Sequence, residues 1–130
     1  MPNFSRLSED RLLTCDERLV LLFREFIKKM DCTVLCGHRG ESEQNRAFED
    51  GFSNARWPDG KHNKFPSLAV DVAPYPYKPK NKEAFYYFAG YVWCVADRIG
   101  VRIRWGGDWD MDNELRDQQL YDLAHFELVA

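Results

Sequence analysis

"SLAVDVAP", residues 67–74, is the core of a longer stretch, "GKHNKFPSLAVDVAPYP" (60–76), in which a polar loop runs into an alternating apolar strand. Side chains alternate along a strand, so Leu68, Val70 and Val72 point one way and Ser67, Ala69, Asp71 and Ala73 the other. The strand stops at Pro74. Asp71 therefore shares its face with small residues only. A carboxylate there needs a cation or strong donors, because an unpaired buried charge is costly. Its small neighbours leave room for something bound beside it.

Working outward, "NKEAFYYFAGYVWCVADRIG" (81–100) reads as a long helix capped by Asn81 and closed by Gly100. Phe85, Phe88, Val92, Val95 and Ile99 line one face of it. "VRIRW" (101–105) reads as a strand, "GGDWD" as a turn and "HFELV" (125–129) as a final strand. Upstream, "TCDERLVLLFREFIKKM" is a helix with Thr14 as N-cap and Glu17 completing a capping box. Leu19, Leu22, Phe23, Phe26, Ile27 and Met30 form its apolar stripe. "CTVLCG" (32–37) is a short buried strand, and a second helix runs from near Ser42 to Gly51. Residues 52–66 form a polar loop of functional length. This order predicts an α+β domain, a small antiparallel sheet flanked by helices.

The 130 residues fit one domain, 1–130, expected as a monomer. A net charge of -3 and the lack of a basic arm give no electrostatic footprint for nucleic acid. Cys15, Cys32, Cys36 and Cys94 lack the spacing of a zinc knuckle or a dithiol redox site and read as free thiols. The N-terminal segment is charged early and has no apolar core, so no Sec signal is expected and the host cytosol is the expected compartment. No apolar stretch approaches the ~20 residues of a membrane span. The aromatic run "FYYFAGYVW" (85–93) reads at helical spacing as core plus an amphipathic rim rather than a carbohydrate platform.

The histidines are His38, His62 and His125. Asp122 lies three residues before His125, and Glu127 two after it. Two histidines with one carboxylate, His62, Asp71 and His125, make the donor set of a catalytic zinc site with an open fourth position. The His-x8-Asp spacing alone does not establish it. Glu127 shares a strand face with His125, as a partner orienting that ring or as a rival base to Asp122. Asp108, Asp110 and Asp112 take positions one, three and five of a calcium-loop pattern. That pattern fails at Asn113 and Gln119, so a solvated acidic loop is the favoured reading over calcium.

"HNKFPSLAVDVAPYP", "RWGGDWD" and "DLAHFEL", in that order and preceded by "GHRGESEQ", resemble the zinc D-alanyl-D-alanine carboxypeptidase and L-alanyl-D-glutamate endopeptidase family. The bacteriophage endolysin branch is the closer likeness, and the core fold is shared with the hedgehog signalling domain. The resemblance spans about Leu12 to Leu128. It implies one zinc ion held by His62, Asp71 and His125, with Asp122 as catalytic acid/base. It implies that Arg39 steadies the substrate carbonyl, that Gln44 supports it, and that Trp105 with the "GGDW" turn walls the substrate groove. Two residues before the first zinc histidine the family usually has serine, and here it is Gly60; His38 and Gly40 likewise replace the usual residues around Arg39.

The implied function is cleavage of peptidoglycan stem peptides, with the L-alanyl-D-glutamate bond as first expectation and the terminal D-alanyl-D-alanine bond as alternative. No separate cell-wall-binding domain is expected, and a lysis enzyme of this kind waits in the host cytoplasm until the membrane is opened. Two other classes compete: a non-catalytic binding module on the zinc fold, and a zinc-free domain in which His62 and Asp71 merely pair.

Overall fold

The computed structural model describes residues 2–53, 55–114 and 122–129. Four antiparallel strands form one sheet in the order β1-β2-β4-β3: β1 (Cys32–Cys36), β2 (Ala69–Pro74), β3 (Ile103–Trp105) and β4 (His125–Leu128). The helices are α1 (Arg6–Leu12), α2 (Glu17–Ile27), α3 (Glu41–Glu49) and α4 (Lys82–Ile99). The α+β architecture with a small antiparallel sheet is thus as the sequence predicts.

One face of the sheet makes the core. Val34, Val70, Val72 and Phe126 pack there with Leu19, Leu22, Phe23 and Phe26 of α2 and Phe88 and Val92 of α4. Phe126 meets Phe23 and Phe88 with ring centroids 5.7 and 6.2 Å apart, and Phe26 meets Phe88 at 4.8 Å. Each such fully buried ring contributes about 1.5–3 kcal/mol. The helix ends of α4 follow the sequence. Asn81 accepts the Ala84 N–H at 3.2 Å, and Gly100 closes the helix at φ 79, a left-handed conformation that favours glycine.

Two elements differ from expectation. Helix α2 begins at Glu17, and its cap is Asp16, which accepts the Arg18 N–H at 2.9 Å. Thr14 is not the cap. Thr14 closes the turn after α1 and Cys15 bridges to Ser67, with Asp16 N donating to Ser67 O at 2.8 Å and Ser67 N to Thr14 O at 2.9 Å. Thr14 Oγ1 instead donates to Arg11 O at 2.7 Å and accepts the His38 N–H at 2.8 Å. Helix α1 is an addition. Ser5 caps it by accepting the Ser8 N–H at 3.1 Å. Its side chains then cover the edge of β1: Ser8 Oγ accepts Val34 N–H at 3.0 Å and Arg11 Nη1 donates to Val34 O at 3.0 Å. Covering Val34 this way blocks the middle of the edge strand against pairing with another chain.

The turn after β1 is tightly seated. A Cβ on Gly37 would overlap Thr14 Oγ1 and Arg11 O. Gly37→Ala should therefore cost about 1–3 kcal/mol through overpacking, read as a lower urea midpoint with an unchanged m-value.

Candidate metal centre and catalytic cavity

The opposite face of the sheet carries the chemistry. Register sets it: Asp71 on β2 lies directly across from His125 on β4, and Ala69 across from Glu127. The hydrogen-bond ladder that packs Val70 against Phe126 on the core face therefore puts a carboxylate, an imidazole and a second carboxylate on the other. His62 arrives from a short turn, Lys61–Asn63, within the predicted polar loop. That turn is pinned by Arg39 N donating to His62 O at 2.8 Å and Leu68 N to Lys61 O at 3.1 Å.

His62 Nε2 lies 3.2 Å from Asp71 Oδ1 and 3.2 Å from His125 Nδ1, and His125 Nδ1 lies 3.3 Å from Asp71 Oδ1. The far nitrogens fix the tautomers. His62 Nδ1 sits 2.7 Å from Gly37 O, and His125 Nε2 sits 2.8 Å from Glu127 Oε1. A carbonyl and a carboxylate only accept, so both far nitrogens carry hydrogen. In the neutral rings, the near nitrogens then turn lone pairs toward a carboxylate oxygen that is also an acceptor. Three lone pairs converging with no proton between them require a cation. Tetrahedral zinc at about 2.0–2.1 Å from nitrogen and oxygen donors separates them by about 3.3 Å, and the three donors match that spacing. These three residues form a group fitted to hold a metal ion.

Without a metal, only a proton can relieve the convergence, and the titration behaviour reflects this. Burial alone would lower the His62 pKa, but the adjacent Asp71 charge and hydrogen bond drive it up to about 10. Burial likewise opposes ionisation of Asp71, yet His62 and His125 hold its carboxyl well below the usual carboxylate range. Burial also disfavours charge on His125, and its bonds to Asp71 and Glu127 outweigh that and raise it.

Glu127 is buried, and both of its oxygens are committed. Oε1 takes the His125 N–H, and Oε2 pairs with Lys61 Nζ at 3.2 Å and Arg104 Nη1 at 3.6 Å. Its burial would raise its pKa, but His125 and Lys61 pull it down. This geometry suits an orienting partner rather than a base. Asp122 has the opposite character. Its Oδ2 lies 3.9 Å from His125 Nδ1 and its side chain is 30% exposed, opening to the cavity. Burial and the nearby Asp71 charge push its pKa up to about 6.

The cavity measures about 280 Å³, and its walls include Arg39, Gln44, His62, Trp109, Asp122 and His125. Arg39 Nη2 donates to Asp71 Oδ2 at 3.3 Å and Nη1 to Gln44 Oε1 at 3.2 Å. Gln44 is fully buried and its amide is saturated: Nε2 donates to Ser53 Oγ at 2.9 Å and Ala55 O at 2.7 Å, and Oε1 also accepts from Asn63 Nδ2 at 3.1 Å. It holds Arg39 in place. A Cβ on Gly60 would lie 2.8 Å from Asn63 Oδ1 and 3.1 Å from Gln44 Oε1. The space a serine would use at this position is filled by that same amide network.

Trp105 sits elsewhere. Its indole is buried, donates Nε1–H to Leu123 O at 2.8 Å, and does not line the catalytic cavity. Trp109 does, with its ring 5.1 Å from that of His125. Of the expected wall, the "GGDW" turn supplies Trp109 while Trp105 stays inside, an in-or-out choice between two tryptophans four residues apart that needs the backbone path. Gly106, in the same turn, has a seating role that its sequence position alone does not show. A Cβ there would overlap Asp122 O, so the "GG" of the turn seats the backbone of Asp122. The signal was present in the paired glycines. Asp108, Asp110 and Asp112 also gather, with carboxylate oxygens within 4.8 Å of one another. Asp110 and Asp112 are exposed, and Gln119 of that pattern lies outside the described residues.

Residues 2–129 match the family of phage L-alanyl-D-glutamate peptidases. The L-alanyl-D-glutamate peptidase of Escherichia phage T5 is 26% identical over 134 residues, covering 97% of each chain. The crystal structure of the Serratia marcescens L-Ala D-Glu endopeptidase ChiX superposes with a TM-score of 0.77 at 24% identity, covering 99% of this chain and 90% of that one. The likeness to ChiX shows the same fold. The match along nearly the whole chain places it in a family: it belongs to the phage L-alanyl-D-glutamate peptidases.

Proposed function

We propose that the chain is a zinc-dependent endopeptidase that cuts the L-alanyl-D-glutamate bond of peptidoglycan stem peptides, in the manner of a phage endolysin. The observation that carries this reading is the convergence of His62 Nε2, Asp71 Oδ1 and His125 Nδ1 with their outer nitrogens tied back to Gly37 and Glu127. These three residues would hold the ion. Zinc in such a site supplies Lewis acidity, polarising a carbonyl and making water nucleophilic near neutral pH.

The rest falls to the chain's own side chains. Asp122 takes the proton of the attacking water and returns it to the leaving amine. Arg39, anchored by Gln44 and Asp71, presents its guanidinium to the negative charge growing on the carbonyl oxygen. Glu127 keeps the His125 ring turned toward the site. Trp109 forms one wall against which the substrate lies. The whole chain acts as one peptidase domain and as a monomer. No helix of the described residues is long and apolar enough to cross a membrane. The protein is held in the host cytoplasm and reaches the wall once the membrane is permeabilised.

Digestion of purified peptidoglycan, followed by mass analysis of the released ends, should yield new N-terminal D-glutamate. Release of free D-alanine instead would mark a carboxypeptidase, and no release at all a binding module. Asp122→Ala should lower hydrolysis by at least about 10²-fold while metal content stays at that of the wild type. Full activity in that variant would reassign the base.

Zinc must displace the proton that the metal-free site holds on His62, whose pKa is about 10. Calorimetric titration of metal-free protein at pH 7 should therefore show heats that vary with buffer ionisation enthalpy, with affinity falling as pH falls. Glu127→Gln should weaken zinc binding by about 10–100-fold, measured by competition with a chromophoric chelator.

A further inference from the structure

The catalytic cavity opens on one side into a second hollow, of about 480 Å³, along helix α3. The two form one cleft, because Arg39 and Phe52 line both. Past these residues the wall is a single face of α3 and its C-cap. Glu43, Arg46, Ala47 and Asp50 recur there at i, i+3, i+4 and i+7. Phe52 stands at the junction with 73% of its surface exposed, an apolar ring left in solvent at the mouth of a cleft.

The charges in this groove are of both signs and are left open. Arg46 and Asp50, four residues apart, are spaced for an ion pair, yet neither side chain has a partner among the described residues. Glu43 Oε1 reaches only the Gly40 N–H, at 3.5 Å. Arg39, by contrast, is already tied to Asp71 and Gln44. A purely anionic ligand would meet two carboxylates here, a purely cationic one would meet Arg46, and an apolar one would desolvate all three charges. A group with an ammonium and a carboxylate on one carbon matches both signs. The stem peptide offers such a group. After D-glutamate its third residue is a diamino acid. Where that residue is diaminopimelate, a methylene stem ends in an ammonium and a carboxylate on the same carbon, whereas lysine ends in an ammonium alone. On an extended peptide that tip lies about 10–14 Å from the scissile bond. Five residues of helical rise, about 7.5 Å, separate Arg46 from Glu41, at the Arg39 end of the groove.

We propose that the α3 groove is the subsite for the third residue of the stem peptide and that it selects diaminopimelate over lysine. Arg46 holds the distal carboxylate, and Asp50 the distal ammonium. The methylene stem lies against Phe52 and Ala47, which gives the exposed ring a partner. Arg46 is thus a specificity residue, while Arg39 at the junction serves the scissile carbonyl. This inference rests on the peptidase reading above.

The test uses two tripeptides, L-alanyl-γ-D-glutamyl-diaminopimelate and L-alanyl-γ-D-glutamyl-lysine, with the zinc-loaded protein. It also uses the two dipeptides that remain once L-alanine is removed, which have no scissile bond. Wild type should cleave the diaminopimelate tripeptide with a KM about three- to tenfold lower at similar kcat, and calorimetry should show the same preference between the dipeptides. Arg46→Gln should bring that preference to about one by weakening the diaminopimelate ligands alone. Asp50→Asn should weaken both ligands of each pair, because both carry the distal ammonium. Both positions are exposed, so the thermal midpoint should be retained in each variant. Equal affinity of wild type for the two dipeptides overturns the proposal. So does an equal loss for both in Arg46→Gln, which would give Arg46 a general structural role. Dipeptide binding is read without hydrolysis. Failure of the peptidase reading, seen as no cleavage of either tripeptide, is therefore a separate result, and the dipeptide preference still decides the subsite.

Discussion

Asp71 Oδ1 stands 3.2–3.3 Å from two imidazole nitrogens whose other nitrogens are already donating elsewhere. Everything around the site follows from that crowding of acceptors. A protein interior does not tolerate three facing lone pairs unless a positive charge sits among them. In the metal-free chain the same juxtaposition of charge raises the two histidines and depresses the aspartate as one effect. A divalent cation supplies the positive charge with a single ion and leaves a coordination position open for chemistry.

The second ring of residues keeps the first from relaxing. Gly37 O and Glu127 hold the two rings from behind, and Lys61 and Arg104 pair with the other oxygen of Glu127. Arg39 spans Asp71 and the buried amide of Gln44, which also ties down the loop at Ser53 and Ala55. Gly106 lets the backbone of Asp122 approach the turn, which sets the carboxylate at the mouth rather than inside the metal cluster. The two carboxylates flanking His125 in sequence are thereby given different work. Glu127 is consumed by partners, while Asp122 remains open to the cavity with a pKa of about 6.

Much of this was legible in the residues. Alternation in "SLAVDVAP" put Asp71 on a face of small side chains, and the pairing of Asp71 with His125 across β2 and β4 completes that observation. The strands and helix α4 were readable because their periodicities are strong and their caps, Asn81 and Gly100, are chemically explicit. Helix α1 was missed because it is short and its purpose is tertiary, covering Val34 on an edge strand. The cap of α2 falls at Asp16 rather than Thr14 because a bridge from Cys15 to Ser67, far away in sequence, delays the helix. Trp105 and Trp109 could not be told apart without the path of the turn between them. Gly60, which departs from the family pattern, makes sense only once Asn63 and Gln44 are seen filling the space beside it. In each case the missing information was a long-range contact, which a local pattern does not carry.

His62, Asp71 and His125 are assigned to one metal site. Anomalous diffraction from crystals of protein purified without added metal, collected on both sides of the zinc absorption edge, tests it most directly. A single strong zinc peak bounded by His62 Nε2, Asp71 Oδ1 and His125 Nδ1 is expected. An occupied site formed by other residues, or crystals of active enzyme with no zinc peak at this position, would contradict it.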